Sequence, residues 1–168
     1  MPEQNFGGLS GERELLTGYL DWYRAVVEHK VEGLSLSDGA RQLTASGLSP
    51  LGVVKHLGWV EYNWFRYVVA GEDVAPPPRV DGDNAVQFRV DHSETAESIL
   101  AFYRSEAEHA RVVMDAVPSL DQVGVRESRL VGKVTVRWVL VHMIEETARH
   151  AGHLDLMREE IDGRTGYL

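Results

Sequence analysis

Cysteine is missing altogether from the 168 residues. That excludes disulfides, thiolate metal ligation and a protein-borne thiol nucleophile, so any thiol chemistry must arrive on a cofactor or substrate. Basic charge is in short supply: 17 Lys and Arg stand against 26 Asp and Glu, for a formal net charge of −9. Such a surface repels a phosphate backbone, and no nucleic-acid partner is expected. Long hydrophobic runs are absent too. No window approaches the ~20 apolar residues of a membrane span, and the opening Met-Pro-Glu-Gln-Asn-Phe-Gly-Gly has no basic segment followed by an apolar one. The expectation is a cytoplasmic protein with no membrane partner. Internal repeats, low-complexity tracts and inter-domain linkers are also lacking. With 43% hydrophobic and 26% charged residues, the chain reads as a single domain, 1–168, with enough apolar content for a sizeable core.

What is present is helical periodicity in four segments. The first runs from about Ser10 to Lys30, with Leu15, Leu16, Tyr19, Leu20, Tyr23, Val26 and Val27 at spacings of three and four and Ser10 placed to cap it. A polar stretch around Ser35 to Gly47 follows, and Ser49-Pro50 then announces a second helix to about Ala70, stopped by Gly71. The connection Glu72 to Val90 carries Pro76-Pro77-Pro78 and Asp81-Gly82-Asp83-Asn84, with a short strand expected near Val86 to Val90. Asp91 and Ser93, with Glu94, signal a third helix from about Ser93 to Ala116, closed by Pro118. Ser119 to Val134 reads as an extended loop or short hairpin, after which Thr135 caps a fourth helix reaching roughly Glu160. The fold expected is all-α, a four-helix bundle with long connecting loops.

The fourth helix carries the chemistry. Val139, Met143, Glu146, His150, then His153 or Leu154, and Met157 form its inward stripe, so Glu146 and His150, four apart, lie one above the other facing the core. An ionised carboxylate in an apolar interior costs several kcal/mol unless a cation or strong donors compensate it. His56, on the second helix, with Glu146 and His150 gives two imidazoles and one carboxylate. That donor set suits Zn²⁺, Ni²⁺, Fe²⁺ or Mn²⁺ and leaves a coordination position open. Through it an ion can acidify a bound water or a bound thiol.

Plainer readings stand beside this one. A small rotation of the helix turns Glu145 inward and leaves Glu146 in a surface pair with Arg149 or Arg158, and a histidine on an apolar helix face is most often a hydrogen-bonded core residue. His142 reads as a ligand, a supporting group or a structural histidine, and His153 as a supporting or pocket-lining one; His29, His92 and His109 are expected to be solvated. The tryptophans are core and rim packing, with Trp59, one turn after His56, also placed to line a pocket.

Two segments, Val54-Lys55-His56-Leu57-Gly58-Trp59-Val60-Glu61 and Trp138 through Glu146-Thr147-Ala148-Arg149-His150-Ala151-Gly152-His153-Leu154-Asp155, resemble the DinB-like superfamily. The closest likeness is to its bundle-only branch, related to mycothiol-dependent maleylpyruvate isomerase and thiol S-transferases, and it covers nearly the whole chain. The resemblance implies a four-helix bundle with an unusual crossover and a metal held at His56, Glu146 and His150, in the Glu-x-x-x-His pattern of the thiol-transferase branch. It further implies a divalent metal, zinc or nickel, that activates a low-molecular-weight thiol such as mycothiol or bacillithiol toward an electrophile. Arg149, Arg137 and Arg66 are the arginines available to hold an anionic thiol or acid substrate. The similarity ends with the bundle and includes no counterpart of the isomerase's additional C-terminal domain, so maleylpyruvate is not carried over as a substrate. A thiol-dependent transferase or isomerase is the leading expectation, and a homodimer is the expected assembly. A metal-dependent hydrolase with Glu145, His142 or His153 as proton carrier, and a non-catalytic metal-binding stress-response protein, are the alternatives.

Overall fold

Four helix starts in this chain, at Ser35, Ser49, Thr95 and Thr135, fall where a side chain satisfies one of the first free backbone N–H groups. Ser49 Oγ accepts from Gly52 N at 3.3 Å ahead of Pro50, and Thr135 Oγ1 accepts from Trp138 N at 3.2 Å. Thr95 and Ser98 close a reciprocal box, Ser98 N donating to Thr95 Oγ1 at 3.0 Å and Thr95 N to Ser98 Oγ at 2.9 Å. With this box the third long helix starts past the expected Asp91 and Ser93, although Glu94 does accept from Asp91 N, sharing its carboxylate with Lys55.

The computed structural model describes residues 11–79 and 85–166. It contains α1 (Glu12–Val31), a short α2 (Leu36–Gly39), α3 (Pro50–Glu61), α4 (Ala96–Ala116) and α5 (Val136–Asp162). Ser10, the expected first cap, lies outside the described residues, and α1 begins after Gly11, whose N–H is accepted by Glu14. The second predicted helix is present but changes winding, since α3 runs directly into a π-helix over Tyr62–Ala70. Gly71 ends it in the left-handed region at φ 64, where Val125 leaves no room for a side chain. The strand expected near Val86 to Val90 is instead a 3-10 turn, Ala85–Phe88; among the described residues there is no strand, only the isolated bridges Val123 to Thr135 and Ser128 to Gly132.

α1 packs along α5 and α3 along α4, while α3 also meets α5, giving an all-helical bundle. Its interior divides into two apolar clusters. One gathers Leu20, Trp64, Phe65, Val139, Leu140 and Met143, the other Val26, Val27, Leu51, Leu57, Tyr103 and Leu154. Polar side chains fall at the junction: Arg24 between Leu20 and Val26 on α1, Glu146 and His150 between Met143 and Leu154 on α5. Arg24 forms a two-pronged ion pair with Glu61, 2.7 Å from Nε to Oε1 and 2.6 Å from Nη2 to Oε2, with both residues buried.

One face of α3, Gly52, Lys55 and His56, receives the connection that precedes α4. Lys55 Nζ donates to Arg89 O at 2.7 Å and to Glu94 Oε2 at 2.9 Å. At Gly52 a Cβ would lie 2.2 Å from the Phe88 carbonyl oxygen and 2.8 Å from Ser49 Oγ, so only glycine lets the turn dock this closely.

Two stability outcomes follow. Gly52→Ala is expected to destabilise by about 1–3 kcal/mol through overpacking, whereas Gly18→Ala, on α1 with nothing within 4 Å of the new Cβ, is expected to stabilise by about 0.5–1 kcal/mol; urea midpoints of both variants check the pair. Arg24→Met strands the buried Glu61 carboxylate and is expected to cost about 3–5 kcal/mol, most of it recovered in the double variant Arg24→Met/Glu61→Leu. A double variant as unstable as the single one contradicts that account.

Candidate metal centre

α5 settles which carboxylate faces inward. Glu146 is 9% exposed while Glu145 is on the surface, and His150 and His56 are 7% and 3% exposed. Glu146 Oε1 stands 3.1 Å from His56 Nε2 and 3.3 Å from His150 Nε2, and one donor atom of each residue lies within 4.8 Å of the others. The structure thus brings together side chains 90 residues apart in the chain. The second carboxylate oxygen, Oε2, accepts from Arg149 Nη2, which also reaches Glu145. Burial pushes the Glu146 carboxyl up, but hydrogen bonds from His150 and His56 and the charges of His150 and Arg149 outweigh it and hold the group well below the ordinary carboxylate range. Glu146 is an anion in a largely dry site.

The donors fit a divalent ion. Two ligand atoms, each about 2.1 Å from one tetrahedral ion, stand about 3.4 Å apart; the two separations from Glu146 Oε1, 3.1 and 3.3 Å, come near that span, and the whole trio lies within 4.8 Å. Two imidazoles and a carboxylate are also the ligand chemistry of borderline divalent metals. The far nitrogens have partners of their own. His56 Nδ1 is 3.1 Å from Gln87 Oε1, and His150 Nδ1 is 3.3 Å from His153 Nδ1. Burial, then the charges of His150 and Arg149, depress the His153 imidazole below its ordinary value, so at neutral pH it is uncharged and can accept from His150.

A cleft of ≈ 160 Å³ opens on His56 and Glu146, walled by Trp59, Asn63, Trp64, Gln87, His142 and Leu130. His142 stacks on Trp138 at 5.0 Å and meets Trp64 edge-on at 5.0 Å. Burial pushes its imidazole down, only partly opposed by Glu146 and Glu145. Trp59 lines the cleft from one turn beyond His56, with its ring edge-on to Tyr62.

Other sequence expectations resolve differently. Arg149 and His153 touch Glu146 and His150 rather than walling the cleft. Arg137 is tied to Glu12 and Asp121 at the surface, and Arg66 to Glu106 and Glu72, so neither is offered to an anionic ligand. His109, expected in solvent, pairs with Glu72. Gln87, Phe88 and Asn63 escaped sequence reading. Gln87 and Phe88 were hidden by the strand expected there, and the only signal for them was the general need of a buried ligating imidazole for an outer partner.

The protein is an all-helical bundle in which the Glu146 carboxylate of α5 lies between the imidazoles of His56 and His150, beside an aromatic cleft. The family model for mycothiol S-transferase matches residues 15–163; the chain belongs to that family, in agreement with its DinB-like resemblance. Comparison with individually curated proteins returns no match.

Proposed function

We propose that this chain is a metal-dependent mycothiol S-transferase, with His56, Glu146 and His150 as the metal ligands. The observation that carries the reading is the buried, ionised Glu146 facing two imidazoles at the floor of an open cleft. A divalent ion held there, with zinc or nickel the first choices, would supply the Lewis acidity that lets a thiol react as thiolate near neutral pH. The protein needs the thiol from outside, having no cysteine.

The chain's own residues then divide the work. Arg149 holds Glu146 Oε2 and leaves Oε1 to the site. Trp59 and Trp64 form an aromatic wall that keeps water from the reacting sulfur. In the transfer the S–H proton passes to a base, the sulfur electron pair forms the new C–S bond, and the bond from carbon to the leaving group breaks with its pair going to that group. His142, neutral at pH 7 and lining the cleft, is the base placed to take the proton. Mycothiol is the cofactor that the family indicates, with bacillithiol the second choice. Two further proposals accompany this reading: cytoplasmic residence, where low-molecular-weight thiols stay reduced, and a homodimer, for which exposed Val141 and Leu156 on α5 offer apolar surface.

Metal analysis of tag-free protein tests the ligand assignment: the wild type is expected to retain a divalent ion, and His56→Ala and Glu146→Gln to lose most of it, while equal content in all three rejects the site. Turnover tests the chemistry. Incubation with mycothiol and a generic electrophile is expected to consume free thiol, to stop on metal removal, and to slow by about 10²-fold or more in His142→Phe. Metal-dependent turnover of an ester or amide with no thiol added contradicts the transferase reading in favour of a hydrolase.

A further inference from the structure

We propose that Gln87 is a positioning residue that fixes the tautomer and tilt of His56, so that Nε2 presents its lone pair to a metal ion. The inference rests on His56 being a metal ligand, and it adds a residue outside that trio. Gln87 is 4% exposed, and both ends of its amide are engaged. Its Nε2 donates to the Pro78 carbonyl at 3.0 Å and its Oε1 faces His56 Nδ1 at 3.1 Å. A carbonyl oxygen only accepts, so the NH₂ end of the amide must face Pro78, which turns the oxygen toward His56. With an ion bound at Nε2, the hydrogen on His56 therefore belongs on Nδ1; without one, Nε2 can instead donate to Glu146.

Chemistry at the other nitrogen makes this matter. Glu146 Oε1, 3.1 Å from Nε2, is itself an attractive acceptor and favours the opposite tautomer, in which Nε2–H points at the carboxylate and no lone pair is left for a metal. Gln87 biases the ring against that arrangement. It does so as a neutral amide, adding no second negative charge beside Glu146. Phe88 fixes the plane of the ring, stacking on it at 3.9 Å and 18°. The turn carrying both residues sits where it does because Gly52 admits the Phe88 carbonyl and Lys55 holds Arg89 O.

The test uses the full chain, depleted of metal, with zinc affinity read by competition against a chromophoric chelator and thermal melting as a fold control. Gln87→Leu removes both hydrogen bonds; Gln87→Glu keeps an acceptor for His56 and loses the donor to Pro78. The expected result is zinc binding weakened about 10–100-fold in Gln87→Leu and kept within about threefold of wild type in Gln87→Glu. In the zinc-loaded wild type and Gln87→Glu, the His56 Nδ1–H resonance is expected to be protected from exchange, and in Gln87→Leu to be broadened away. Wild-type affinity in Gln87→Leu overturns the proposal. So does a loss in Gln87→Glu equal to that in Gln87→Leu, which assigns Gln87 to anchoring the turn on Pro78 alone. A wild type that binds zinc no better than His56→Ala marks the metal site itself as the failing step.

Discussion

The structure turns on one anion, Glu146, held where water is scarce and beside a cleft. Glu146 sits on the inward stripe of α5, with Met143 one turn before it and Leu154 two turns after it, and its ionised form survives there because two imidazoles and a guanidinium face it. A carboxylate in that position commits the surrounding bundle: His56 must be brought across from α3, His150 must follow one turn later on α5, and neither imidazole can rotate away without stranding the charge. The spacing between these groups suits a proton or a metal ion. The cleft beside them gives a ligand access to either.

Support for the cluster comes from outside it. The 3-10 turn before α4 reaches α3 at three successive positions on one face, Gly52 by close approach, Lys55 by its ammonium and His56 by its ring. On the far side His153 backs His150. Arg24 and Glu61 make a second polar pair at the junction between the two apolar clusters. The interior is thus two hydrophobic blocks separated by polar side chains that are matched pairwise. This is an expensive arrangement for stability, since such pairs contribute little net free energy compared with apolar packing, and it is more readily understood as the frame of a site.

Periodicity was enough to read the long helices, and it assigned Glu146 and His150 to one face of α5 because a 3.6-residue repeat leaves little freedom over 27 residues. The choice between His153 and Leu154 at the next inward position is made by packing: Leu154 is buried in the cluster with Val26 and Leu57 while His153 is only partly covered. What could not be read depends on contacts between distant segments. Val86 to Val90 was expected as a short strand, but among the described residues there is no strand for it to pair with, and it winds onto α3 instead. The start of α4 lies at Thr95, where the reciprocal box with Ser98 forms, and Lys55, 39 residues before Glu94, ties the preceding turn to α3. Arg66, Arg137 and His109 looked available until the fold supplied Glu106, Glu12 with Asp121, and Glu72. Winding of Tyr62–Ala70 as a π-helix had no marker in composition.

X-ray absorption on zinc-loaded, tag-free protein tests the central claim most directly, because it reports the atoms around the ion rather than the consequences of its removal. The account predicts a first shell of nitrogen and oxygen at about 2.0–2.1 Å with the multiple scattering of two imidazoles, joined by a sulfur at about 2.3 Å when mycothiol is added. A hydrated-ion spectrum without imidazole scattering, or a shell unchanged by Glu146→Gln, would contradict it.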